Sequence, residues 1–225
     1  MLLPPRLWRA SVTAVLPLSL LLAIGACVRD VGQRPVAPSH DRLLVPCERA
    51  GPLTADTSED ELKRVVGPEH VVSLGETARD RGHNAVTASI LYPDTAGRLR
   101  VVWKTPRRQR PHYVETTVRG APWKTRRGIA IGTGVYELVR LNGGDFRFRG
   151  FFWDYGGHLE SWEGGLLETH HPAECFLMAI GMQAPADRRH FDALAPLTGE
   201  AVFRTDHPAL RAGPIVVVLV GVRFP

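Results

Sequence analysis

The chain has 225 residues, a formal net charge of +5, 44% hydrophobic residues and 23% charged residues. These values fit one globular domain or two small ones and exclude a collagen, a coiled coil or a wholly disordered chain. Among the 28 basic residues only Lys63, Lys104 and Lys124 are lysines, so arginine carries nearly all the positive charge.

Residues 1–26 contain no acid. Arg6 and Arg9 supply a short positive segment, and a largely apolar run follows through Leu20, Leu21 and Leu22 to Ala26. That layout is the layout of a secretory signal. Ile24-Gly25-Ala26-Cys27 ends the run, and small residues directly before a cysteine resemble the lipobox of bacterial lipoproteins. The resemblance implies cleavage after Ala26 and a diacylglyceryl group, palmitate included, on the Cys27 sulfur. The first expected partner is therefore a lipid bilayer, reached through acylated Cys27. The alternatives are an uncleaved anchor and an ordinary cleaved signal. The run is near the short end for a spanning helix of about 20 residues, and Pro17 interrupts it. Loss of Arg6 and Arg9 takes the net charge from +5 to +3, a mild excess. Val28, where aspartate is absent, favours outer-membrane delivery in enterobacterial lipoproteins.

Cys47 and Cys175 then remain, an even pair in an oxidising compartment where disulfides persist. A bridge between them is expected; two buried free thiols are the alternative. No C-x-x-C spacing occurs, so neither a zinc ribbon nor a thioredoxin-like site is indicated.

Gly32, Pro35, Pro38 and Ser39 mark residues 27–45 as a tether. Two units are expected beyond it, 46–120 and 121–225. Residues 57–67 echo residues 133–143, with Thr, Glu, Leu, Arg and Gly coinciding at five of eleven positions. Each segment predicts a short helix. Thr57 or Thr133 is the expected cap, with Ser58 and Glu61 as an alternative capping box. Gly67 and Gly143 stand where a left-handed C-cap belongs. Strands are expected over 86–92, 99–104, 113–118, 146–153, 158–162, 176–182, 199–205 and 215–224. Ile215 to Val220 is continuously apolar and reads as a central buried strand. The expected fold class is α+β: two related units, each a short helix packed on an antiparallel sheet.

Helix spacing and strand order are similar to the tandem repeats of the β-lactamase-inhibitor-protein type. Gly51 to Ser58 (GPLTADTS), Trp123 with Gly128, and Asn142-Gly143 leading to Gly150 through Gly157 (GFFWDYGG) resemble an uncharacterised family of bacterial secreted proteins and lipoproteins. That resemblance implies export and supplies no catalytic residues.

The sequence lacks G-x-S-x-G, S-x-x-K, H-E-x-x-H and a phosphate loop. The densest polar and aromatic stretch is 151–165, where two Gly-Gly pairs bracket a short strand. Trp153 and Tyr155 are expected on one strand face with Asp154 opposite. Either Asp154, His158, Glu160 and Glu163 form an acid–base or metal cluster, or Asp154 and the glycines fix turns and the aromatics fill the core. His170-His171 reads as a solvated loop, because neighbouring histidines in an extended segment point apart. Residues 98–127 hold ten basic residues and one acid, Glu115. Arg107, Arg108 and Arg110 are the expected anionic-surface contacts, on a tip held out of the ladder by Pro106 and Pro111. Export argues against nucleic acid as the partner of this patch.

The sequence thus predicts a lipid-anchored lipoprotein of the cell envelope, facing the periplasm or cell surface. The expected role is non-enzymatic binding or scaffolding, with an envelope protein or anionic polymer as partner and no cofactor or metal. The alternative is a hydrolase of an envelope polymer using Asp154, Glu160 and Glu163.

Overall fold

Ser58 starts the first helix in the computed structural model, which describes residues 41–75, 85–183 and 188–225. Residues 1–40, with the expected signal segment and Cys27, lie outside the described residues. Helix α1 (Glu59–Val66) is capped by the Ser58 hydroxyl, which accepts from Glu61 N at 3.2 Å. Helix α2 (Val135–Asn142) starts at Gly134 with no side-chain cap. Glu59 and Val135 stand 76 positions apart, as do Val66 and Asn142. The threonines do not cap. Thr57 Oγ1 accepts from Thr54 N at 3.0 Å, and Thr133 Oγ1 accepts from Ala130 N at 3.0 Å. Each threonine therefore closes the turn that feeds its helix, at the same offset. Gly143 is left-handed at φ 74° and ψ 12°, as expected. Gly67 is not: its φ of 98° comes with ψ 134°. Pro68 follows it, and proline pushes the preceding residue to extended ψ.

Among the described residues three sheets carry most of the rest, a mixed fold that is mostly sheet. The smallest strands, β1 (Leu43–Val45), β2 (Arg49–Ala50), β3 (Leu53–Thr54) and β8 (Lys124–Thr125), form one sheet in the order β3-β2-β1-β8. In it β1 runs parallel to β8. A six-stranded antiparallel sheet contains β4 (Val71–Ser73), β5 (Ala88–Leu91), β6 (Leu99–Trp103), β7 (Pro111–Thr116), β11 (Phe176–Met182) and β13 (Ile215–Arg223). Its order is β11-β13-β7-β6-β5-β4. The third sheet joins β9 (Arg147–Arg149), β10 (Leu159–Ser161) and β12 (Val202–Arg204) in the order β10-β9-β12. Helix α3 (Arg188–Ala193) precedes β12.

Strand β13 lies inside the large sheet between β11 and β7, which explains its unbroken apolar run. The β7–β13 pairing crosses the expected boundary at 120/121, from Thr116↔Val220 to Tyr113↔Arg223. Alternate residues of the large sheet, among them Leu99, Val101, Val114, Met178, Ile180 and Val222, enter one core with Leu62, Leu138, Phe146, Trp123 and Trp162. Both fully buried indoles keep a partner. Trp123 Nε1 donates to the Gly97 carbonyl at 2.8 Å, and Trp162 Nε1 to the His171 carbonyl at 2.6 Å.

Residues 41–45 belong to the fold, not to a tether. Leu44 is wholly buried, and the Arg42 guanidinium lies 4.0 Å from the Tyr92 ring centroid and 5.2 Å from that of Trp123. A cation over two rings holds that position through their quadrupoles. Cys47, in the turn between β1 and β2, is bonded to Cys175, with the two Cα atoms 5.0 Å apart. Among the described residues no helix is long and apolar enough to cross a membrane.

The expected strand over 146–153 stops at Arg149. Phe152 adopts φ 66°, and the chain turns back to Gly157 at φ 74°. Gly157 N donates to the Arg149 carbonyl at 2.8 Å, and its own carbonyl accepts from Ile180 N at 2.8 Å. A Cβ at Gly157 would strike the Ile180 carbonyl oxygen. Gly157→Ala should therefore lower the urea midpoint by an amount equivalent to more than about 1 kcal/mol, from strain and displacement together. Gly164→Ala tests φ alone, because Gly164 shares φ 74° with open space around it. Equal losses at both positions would contradict the close-approach account.

Candidate functional site

The basic segment is less free than its sequence suggests. Pro111 opens β7 and is buried, so it does not hold the tip out of the ladder. Arg108 Nη2 donates to the Leu74 carbonyl at 2.6 Å, and its Nε lies 3.6 Å from Glu59 Oε2. Arg108 also takes φ 51°, and its carbonyl accepts from Glu59 N at 3.0 Å. Arg108 is thus half-buried and tied to α1 and to Leu74, so it is less free than Arg107 beside it. Arg110 lies 3.3 Å from Asp56 in an exposed pair, while Arg107 is exposed. Arg100 pairs with Glu115 at 3.1 Å beside a cavity of about 210 Å³ that Arg98 also lines. Lys104 donates to the Pro225 carbonyl.

Glu59 is the partner that sequence inspection missed. It is the first residue of α1 and only 6% exposed. Its Oε1 accepts from Ser73 Oγ at 2.6 Å and from Ser89 Oγ at 2.7 Å. Trp103 Nε1 donates to Ser89 Oγ at 2.7 Å, and Lys63 Nζ lies 3.6 Å from Glu59 Oε2. Burial works against the Glu59 charge. The hydrogen bonds from Ser73 and Ser89, with the Lys63 and Arg108 cations, outweigh it and hold the carboxyl below its ordinary value. The only hint in the sequence was an acid at a helix start, where the dipole favours negative charge.

The aromatic hairpin does not gather its carboxylates around one point. Glu160 accepts from Arg149 Nε at 2.7 Å. Glu163 lies 2.6 Å from Arg147 Nε and 3.3 Å from Arg204 Nη1. Both acids thus belong to a cross-strand ion network on the three-stranded sheet. Asp154 sits exposed in the turn before Gly157. Trp153 and Tyr155 lie in the same turn, not on a strand face, with rings edge to face at 5.4 Å. His158 pairs through its backbone with Ala179 in β11. Among the described residues no group of three or more His, Cys, Asp or Glu side chains could hold a metal ion.

What the structure does bring together are two segments that looked unrelated in sequence. Arg126 and Arg127 lie in the turn after β8, and His170-His171 precedes Cys175. With Glu48 and Thr169 they line a cavity of about 420 Å³, twice the size of the one beside Arg98. His171 is not a solvated loop residue. It is 2% exposed, and its ring packs edge to face on Phe176 at 5.0 Å. Neither ring nitrogen has a hydrogen-bond partner. Burial, with His170 and Arg127 adding to it, pushes the imidazole down to about 4; the Leu167 backbone opposes this. The ring is therefore neutral near pH 7, and among the described residues the Leu167 backbone is the one acceptor in reach of its N–H, outside good hydrogen-bond geometry. Such a group costs about 1–3 kcal/mol in a folded protein.

No protein-family model matches this chain, and no curated protein and no solved structure matches it.

Two stability measurements check the wiring at Glu59. Arg108→Gln should cost about 1–2 kcal/mol in urea unfolding, because it removes the cation beside the buried Glu59 carboxylate and the hydrogen bond to the Leu74 carbonyl. Arg107→Gln should stay within about 0.5 kcal/mol. Equal effects would contradict the distinction. The Glu59 carboxyl titrates below the ordinary glutamate value in the folded chain, so its contribution is fully present above that value. It is lost as pH falls through the folded-state value. The stability gap between wild type and Glu59→Gln should therefore be widest above about pH 4.3, the ordinary glutamate value, and narrow in stronger acid. A gap that does not change with pH would contradict an ionised Glu59.

Proposed function

We propose that the chain is an exported, lipid-anchored binding protein of a bacterial cell envelope, facing the periplasm or cell surface. The observation that carries this is the Cys47–Cys175 bridge. Disulfides are rare in reducing compartments and persist outside them. With both of these cysteines bonded to each other, Cys27 is the one cysteine left, and it stands at the end of the apolar run. Acylation there would hold the folded residues against a bilayer.

A binding role, with an envelope protein or anionic polymer as partner, draws support from the carboxylates. Glu160 and Glu163 are taken up by Arg149, Arg147 and Arg204. That arrangement favours surface cohesion over hydrolysis. We also read the two halves as related units. The threonine turn and eight-residue helix recur at one offset, with Leu53 and Ile129 buried at equivalent places. The resemblance to tandem inhibitor-type repeats rests on these parts, and that to the secreted family on Gly51 to Ser58, Trp123 with Gly128, and Asn142-Gly143 leading to Gly150 through Gly157.

Membrane fractionation tests the proposal. The full chain, expressed in a bacterium with a lipoprotein pathway, should sediment with membranes, and its N-terminal peptide should begin at acylated Cys27. Cys27→Ser should move the protein to the soluble fraction or leave the signal uncleaved. An N-terminal peptide that begins at an unmodified Cys27 would reject the lipid anchor.

A further inference from the structure

We propose that the cavity between the Arg126-Arg127 turn and the His170-His171 segment binds a phosphate group of the monoester class. The site is built entirely from described residues, so it stands whether or not the chain carries a lipid.

The arginines supply the first support. Arg49, Arg100, Arg147, Arg149 and Arg204 all engage acids. Among the described residues the side chains of Arg126 and Arg127 engage none, although they are neighbours on one cavity. Both are exposed, and two cations that line one cavity are stabilised by an anion within reach of both. Their planar forks match the paired oxygens of a phosphate. Among the described residues Glu48 is the only acid on the lining, and it lies 3.9 Å from Arg49 Nε, which offsets its charge.

The buried imidazole supplies the second. His171 lines the same cavity, and neither of its buried ring nitrogens makes a hydrogen bond of good geometry within the protein. A ligand oxygen would satisfy the ring N–H, and the Thr169 hydroxyl at the rim adds another donor. An apolar ligand would leave all of these groups unpaired and would meet two cations. A metal ion would meet the same two cations with one carboxylate in reach. The cavity of about 420 Å³ lies in the range of small-ligand pockets and exceeds a bare phosphate, so room remains for the esterified group. That group is either a soluble polyol or the glycerol of a lipid; the phosphate chemistry is common to both.

Ring NMR of His171 in the full-length chain, held in neutral detergent, tests the site. The probes are inorganic phosphate, glycerol 1-phosphate, and phosphatidic acid added to the micelles, each against chloride at equal ionic strength. The charged groups that share the cavity with the ring are Arg126, Arg127, His170 and Glu48, and His170 and Arg127 act on its charge. A bound anion favours the protonated ring, so phosphate should shift the His171 resonances saturably and raise its titration midpoint.

Arg126→Gln and Arg127→Gln should each weaken phosphate about tenfold, the loss of one charge-assisted pair. Arg64→Gln, exposed on α1 and off the cavity lining, should bind as wild type does. His171→Phe keeps a ring against Phe176 and removes the N–H, so it should fold and bind phosphate more weakly, read by calorimetry. Saturation by glycerol 1-phosphate identifies a soluble monoester as the source, and saturation by phosphatidic acid without it identifies a lipid headgroup; either supports the site. Saturation by inorganic phosphate alone would overturn the monoester assignment. Resonances of His171 that stay at their chloride positions with all three probes would overturn the site itself. So would wild-type phosphate affinity in both arginine variants.

Discussion

The Cys47–Cys175 bridge is the constraint on which the arrangement of the sheets depends. Strands β2, β3 and β8 have two residues each, too few to hold a sheet by their own ladders. The bridge fixes the β1–β2 turn to the residue before β11, across a sequence separation of 128. A loop of that size corresponds to about 4–5 kcal/mol of chain entropy removed from the unfolded state. Cys47 holds φ 62° in that turn, a conformation that non-glycine residues adopt at a cost on the order of 1 kcal/mol. The same bridge joins two segments that line the cavity, since Glu48 follows Cys47 and His171 stands four residues before Cys175.

A second knot lies at the helices. Position 59 and its counterpart 135 are both buried, yet one is glutamate and the other valine. Positions 66 and 142 reverse the pattern, with Val66 apolar and Asn142 polar. Asn142 Nδ2 donates to the Trp162 carbonyl at 2.9 Å, and its Oδ1 accepts from Leu167 N at 3.2 Å. Each helix thus carries one buried polar residue, at opposite ends. Glu59 ties α1 to β4, β5 and the Arg108 tip; Asn142 ties α2 to the loop that leads toward His171. Buried polar groups with full sets of partners specify one arrangement of neighbours, where apolar contacts alone tolerate several.

Local signals were legible in the sequence. The Ser58 cap, the helices at matching offset, the Gly143 cap and the apolar run of β13 each follow from a few adjacent residues. The strand over 176–182 has the expected bounds. Pairings between distant segments were not legible. Strand β1 joins the fold by lying parallel to β8, which is far along the chain, so its three residues resembled a tether. Arg108 looked like a free tip because its partners, Leu74 and Glu59, belong to other elements. The meeting of Arg126 and Arg127 with His171 depends on the disulfide and on the packing of β11, neither of which periodicity reports.

Thiol trapping of protein taken directly from cells tests the central claim, that these sheets are held by a bridge formed outside the cytoplasm. Free thiols are blocked at once in denaturant, and the peptides holding Cys47 and Cys175 are then mapped without and with reduction. The account predicts one linked peptide pair, with neither cysteine labelled until the bridge is reduced. Both cysteines labelled in the unreduced sample would contradict it.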